Sequence, residues 1–135
     1  MLEAKTNRLI MKTDKLDKAI SEYVRRSAAD EEGFCVCPLC GSRHHWKQMD
    51  NAHFIPRANM STRFLLMNLI CCCVHCNRFL DGNLKKYESY LKEHYGPDAV
   101  MVLTDLGHTT VKFTQVEINE LVKEYKQKIK ELDNQ

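Results

Sequence analysis

Two C-x-x-C pairs, Cys37/Cys40 and Cys73/Cys76, dominate this sequence, with His53 and Asn68 between them and Asn77 directly after the last cysteine. Two such pairs in a small domain are the usual source of four thiolates around one tetrahedral Zn²⁺. Four protein ligands leave no open position for water, so this zinc is expected to be structural. Its binding would contribute on the order of 10 kcal/mol to folding. A histidine titrates near 6.5 in water and suits a general base, which would be the role of His53. Asn68 would hold a loop and orient the imidazole by hydrogen bonding. Asn77 would offer an oxygen to a single catalytic Mg²⁺ or Mn²⁺. Alone, His53 would read as an ordinary surface or core histidine; three residues in this order around a zinc staple change that weighting.

The remaining cysteines and histidines have plainer readings. Cys35, Cys71 and Cys72 are expected to pack as small apolar side chains. No cysteine is missing from the quartet, so His44 and His45 are left as surface residues or phosphate contacts, and His75 points elsewhere.

Elements must hold these groups in place. Residues 14–29 put Leu16, Ala19, Ile20, Tyr23, Val24 and Ala28 at helical spacing, with Asp14 as an N-cap. WKQMDNAHF (46–54) reads as a strand carrying Asn51 and His53 on one face and Asp50 and Ala52 on the other. NLICC (68–72) is a second short strand. A helical pattern follows Cys76, interrupted at Gly82, with Asn83 capping what comes next. AVMVLTDL and TTVKF suggest a β-hairpin around Gly107. Thr114 and Glu117 form a capping box before a stripe of Ile118, Leu121, Val122, Tyr125, Ile129 and Leu132. The expected fold class is α+β, a zinc-stapled ββα-metal core with flanking N- and C-terminal helices. The expected segments are a lead-in (1–13), an N-terminal helix (14–34), the zinc finger (35–96), and a hairpin and helix packed on the core (97–135).

At 135 residues the chain is about one domain long. Seven clustered cysteines and no secretory leader argue against a disulfide framework and for a reducing compartment. No apolar run approaches the roughly 18 residues of a membrane span, so a soluble, cytoplasmic protein is expected. The net charge is only +2, but residues 35–90 carry seven Lys/Arg against three Asp/Glu. Arg57, Arg63, Arg78, Lys85 and Lys86 are therefore expected to meet a polyanion backbone, giving affinity without sequence readout.

The order of strand, histidine, loop, strand, asparagine and helix resembles the His-Me finger, or HNH, nucleases. More specifically, LDKAISEYVRR, FCVCPLCG, AHF, RFLLMNLICCCVHCNRFLDGN, YESYL and KFTQVEINELVKEYKQKIKEL, read in this order, resemble the NinG family of phage recombination proteins, also called Rap. The resemblance covers about residues 14–132. It implies a structure-selective endonuclease acting on branched DNA such as D-loops and Holliday junctions, in the host cytoplasm, alongside other recombination proteins. One departure stands out: many HNH enzymes have an aspartate ligand directly before the base histidine, and here that position is Ala52. The metal would need another oxygen, and Asp81, four residues after Asn77, is favoured over Asp50. Two alternatives stay open: a DNA-junction-binding module that has lost its catalytic metal, and a zinc-ribbon adaptor that exposes the stripe of its last helix to a protein partner. A two-fold dimer is an expectation from substrate symmetry.

Overall fold

A computed structural model describes residues 11–134. The elements run in order: α1 (Asp14–Ser27), β1 (Phe34–Val36), β2 (Arg43–His45), β3 (Met49–His53), α2 (Met60–Arg63), β4 (Leu69–Cys73), α3 (Leu84–Tyr95), α4 (Ala99–Gly107) and α5 (Gln115–Asp133). Short 3₁₀ turns cover Trp46–Gln48 and Leu66–Asn68, and a π-helical turn covers His75–Phe79. The fold is mixed α+β with two separate two-stranded antiparallel sheets, β1–β2 and β3–β4. In the second sheet Met49 faces Cys73 and His53 faces Leu69. Residues 1–10 of the expected lead-in lie outside the described residues.

Two apolar clusters carry the molecule. One gathers Cys35, Leu39, Met49, Ala52, Ile70, Cys72, Tyr87, Leu91 and Leu103 around β3 and β4. The other joins Leu16, Ala19 and Ile20 of α1 to Leu69 and to Ile118, Val122 and Tyr125 of α5. The two helices lie parallel: at one end Lys12 and Gln115 exchange hydrogen bonds of 2.9 and 3.0 Å, and at the other Arg26 pairs with Asp133. Tyr23 and Tyr125 meet edge to face between those ends. Tyr87 fastens α3 beneath the second sheet, its hydroxyl lying 3.1 Å from the carbonyls of both Ala52 and Asn68.

Several expectations are corrected in detail. The first helix stops at Ser27, two residues short of the expected helical stripe, and turns fill the rest of the 14–34 segment up to Gly33. Asp30 then organises a turn, its carboxylate accepting from the Glu32 and Phe34 amides. Gly33 follows with φ +90°, where a Cβ would lie 2.5 Å from His45 Nε2. Thr13, not Asp14, takes the N-cap position of α1, and its hydroxyl donates to Asp17. The strand expected from residue 46 starts at Met49, after the 3₁₀ turn. The hairpin around Gly107 is absent: residues 99–107 form a helix, α4, whose buried Ala99 and Leu103 lie one turn apart. The Thr114–Glu117 capping box forms as expected. Ile118, Val122 and Tyr125 of the α5 stripe are buried, Ile118 only 1% exposed, and Leu121, Ile129 and Leu132 are half-buried, so the adaptor reading loses most of the surface it required.

Removing apolar volume from the α1–α5 seam should therefore be costly. Ile118→Ala is expected to lower the unfolding free energy by about 2–5 kcal/mol. Urea denaturation should show this as a lower midpoint with an unchanged slope.

Candidate functional site

Each C-x-x-C pair is folded into a knuckle by its own backbone. Cys37 N donates to Ser42 O and Gly41 N to Cys37 O, both at 2.8 Å. Cys76 N donates to Cys73 Sγ at 3.3 Å. The Sγ atoms of Cys37, Cys40, Cys73 and Cys76 all lie within 4.8 Å of one another. Zn–S bonds of about 2.3 Å set tetrahedral sulfurs about 3.8 Å apart, so a small contraction accommodates the ion. The four cysteines are thus positioned to bind a metal, and an all-thiolate set suits structural zinc. Their acidities are divided. The Cys37 thiol is pulled down to about 4, first by its hydrogen bond with Cys72, whereas burial pushes Cys76 up to about 12. Crowded thiolates of this kind need a cation to coexist. Asn83 takes the N-cap position of α3 as expected, but its side chain makes no capping bond and turns its amide toward Cys76 Sγ at 3.5 Å. Cys35, Cys71 and Cys72 are buried, in keeping with the packing reading.

His53 closes β3 and is half-buried. Its Nε2 lies 3.1 Å from the Arg63 carbonyl. A carbonyl can only accept, so Nε2 carries the proton and Nδ1 keeps its lone pair. Burial is the largest influence holding its pKa below the ordinary value, aided by Arg57 and opposed by the Arg63 carbonyl. The imidazole is therefore neutral at pH 7.

Asn68 holds the loop but does not touch the imidazole, which corrects half of its expected role. Fully buried, it accepts from Ile55 N at 2.7 Å and donates to the carbonyls of Ile55 and Thr62 at 3.1 and 3.2 Å. This ties both ends of the loop after β3 to the start of β4. The carbonyl that orients His53 belongs to the next residue along, Arg63. Its guanidinium is anchored to Asp17 of α1 by Nε at 3.1 Å and Nη2 at 2.7 Å. Burial pushes the Asp17 carboxyl up, but Arg63, Arg57 and Thr13 outweigh it and hold its pKa below the ordinary value. Arg63 is thus a positioning residue committed to an ion pair rather than a free phosphate contact. Neither its carbonyl nor Asp17, 46 residues away, carries a local sequence signature.

Asn77 lies in the π-helical turn, and its Nδ2 donates to Asp50 at 2.9 Å. Arg78 grips the same carboxylate at 2.8 and 2.9 Å. Asp81 does not continue a helix from Asn77. It lies in the turn beyond, with φ +49°, so the i, i+4 argument for preferring it fails. Asp50 is the carboxylate in contact with Asn77. Both aspartates nevertheless line one cavity of about 850 Å³ with Asn51, His53, Asn77 and Arg57, and Asp17, Ser21 and Arg25 of α1 also line it. Asn51 was not singled out as a ligand from sequence. Its Oδ1 is buried without a hydrogen-bond partner, which fits a site with room for a cation. Ala52 is 2% exposed and packs into the core. Lys85 and Lys86 are exposed at the start of α3.

Among the described residues, no helix is long and apolar enough to cross a membrane. No curated protein and no solved structure matches the chain. A family model described as Bacteriophage Lambda NinG protein matches residues 3–135.

Two outcomes follow from this geometry. The protein should carry one zinc per chain by elemental analysis, and Cys76→Ser should lose that metal and unfold at a lower denaturant concentration. Asp17→Asn should cost roughly 1.5–3 kcal/mol at pH 7. Because the folded pKa of Asp17 is depressed, its contribution is present above the unfolded value of about 3.9 and fades as pH falls through the folded one. Denaturation of the two proteins at pH 7 and at pH 3 should show the gap narrowing in acid.

Proposed function

This chain belongs to the bacteriophage Lambda NinG family, and from that premise we propose that it is a metal-dependent DNA endonuclease with a ββα-metal core of the HNH type. Its substrates are branched recombination intermediates such as D-loops and Holliday junctions. The observation that carries the reading is His53, neutral and held by the Arg63 carbonyl, with Nδ1 unengaged, in the same cavity as Asn77 and Asp50.

In this reading His53 Nδ1 takes a proton from a water attacking phosphorus. The P–O3′ bond then breaks, the 3′ oxygen takes a proton from solvent, and the products are a 5′ phosphate and a 3′ hydroxyl. Asn77 and Asp50, with Asn51 and Asp81 lining the same cavity, would hold a Mg²⁺ or Mn²⁺, which would supply positive charge to the phosphate and the departing 3′ oxygen. Asp50 takes the part that Ala52 cannot. The Arg63–Asp17 pair keeps the general base in its tautomer, and Arg57, Lys85 and Lys86 neutralise flanking phosphates. The thiolate site stays closed and structural.

A second reading draws on the Arg78–Asp50 pair, which neutralises the carboxylate a catalytic metal would use. It makes the chain a junction-binding module without turnover.

Nicking of branched DNA in Mg²⁺ or Mn²⁺ separates the two. Under the proposal His53→Ala should lose about 10²–10⁴-fold in rate while keeping its zinc content and circular dichroism. Junction binding with no cleavage in either metal would establish the second reading instead. Because burial depresses the pKa of His53, kcat/KM of the parent should fall on the acid side with a midpoint below the ordinary value of about 6.5.

A further inference from the structure

The turn that follows Asn77 presents an apolar cluster that the proposed chemistry does not use. Phe79 is 73% exposed, the most exposed large hydrophobic side chain among the described residues, and Leu80 in the same turn and Leu84 at the start of α3 are 46% and 49% exposed. Leu84 lines the same cavity as His53, Asn77 and Asp50. Phe79 is two residues beyond Asn77, so their Cα atoms are at most about 7.6 Å apart. Its aromatic neighbour is His75, stacked at 6.0 Å between ring centroids with an interplanar angle of 23°.

The backbone fixes this projection. A π-helical turn ends at Phe79, and three consecutive residues follow with positive φ: Asp81 at 49°, Gly82 at 87° and Asn83 at 49°. Left-handed residues in succession are strained and persist only where the surroundings hold them. Here the second knuckle does so. Leu80 N donates to His75 O and Gly82 N to Cys76 O, both at 3.0 Å, and the Asn83 amide reaches Cys76 Sγ. Exposed apolar side chains anchored this way, flanked by the cationic Lys85 and Lys86, suit a partner that is anionic along its backbone and flat and apolar in its bases. In a continuous duplex every base is stacked and paired, and only its edges are accessible. At a branch point a base face is open.

We propose that Phe79, supported by Leu80 and Leu84, is a stacking wedge that takes an unpaired base beside the cut phosphate. It makes this turn the element that favours branched or frayed DNA over continuous duplex. The inference rests on the DNA site proposed above and assigns its structural selectivity to residues outside the catalytic groups.

The test compares the parent, Phe79→Ala and Phe79→Trp on a forked DNA and a linear duplex of equal length. Binding is measured in buffer without magnesium or manganese, and cleavage after either is added. The parent should prefer the fork. Phe79→Ala should lose about 10-fold in fork affinity with duplex affinity and the salt dependence of binding unchanged, since its phosphate contacts remain. Phe79→Trp should restore the preference. A parent that binds both DNAs alike or binds neither, an alanine variant that weakens both equally or neither, or a tryptophan variant that fails to rescue would overturn the wedge. The two proposals fail separately. Fork preference that depends on Phe79 in a protein that cuts nothing sinks the nuclease reading alone. His53-dependent cutting with fork preference indifferent to Phe79 sinks the wedge alone.

Discussion

Four cysteine sulfurs within 4.8 Å of one another set the constraint on which this molecule depends. They join two backbone segments more than thirty residues apart, and His53, Asp50 and Asn77 lie on the stretch between them or immediately after. β3 and β4 pair in a register that runs from Met49–Cys73 at the knuckle to His53–Leu69 at the far end. The metal site and the imidazole are therefore opposite ends of one short ladder. A sheet of two strands is marginal on its own. Here it is closed by the knuckles at one end, by Asn68 and the Arg63 carbonyl at the other, and by Tyr87 from beneath.

The second constraint is electrostatic, and it reaches the site from outside the finger. Asp17 belongs to α1, yet through Arg63 it fixes the carbonyl that selects the tautomer of His53. A bidentate pair between a carboxylate and a guanidinium is directional as well as attractive. It sets an orientation, not merely a distance. The flanking helices are part of the site's architecture, and the burial of Ile118, Val122 and Tyr125 against α1 is what keeps Asp17 where Arg63 can find it.

Much of this was legible in the sequence because it is local. The C-x-x-C spacing names its own geometry, the stripes of α1 and α5 follow the helical period, and Thr114 with Glu117 announces a helix start. The misses are of three kinds. Val100, Val102 and Leu103 look like strand residues by type, but the chain after Gly96-Pro97 helps enclose a core already built from other elements, and a helix burying Ala99 and Leu103 meets that need. Tertiary packing overrode propensity there. The roles of Arg63, Asp17 and Asp50 depend on contacts across 27 to 46 residues, which no short pattern encodes. Asp81 was favoured by assuming an unbroken helix after Asn77. The π-helical turn and the left-handed residues behind it break that helix.

The wall that α1 gives the cavity has a consequence of its own. One flank of that helix packs on α5 while another, with Asp17, Ser21 and Arg25, faces the space in front of His53. The width of that space is then governed by a greasy seam, and its floor by polar groups on β3 and the turn after β4. Aperture and reactivity reside in different stretches of the chain. Drift in the seam can change the width of that space while the polar groups on its floor stay as they are.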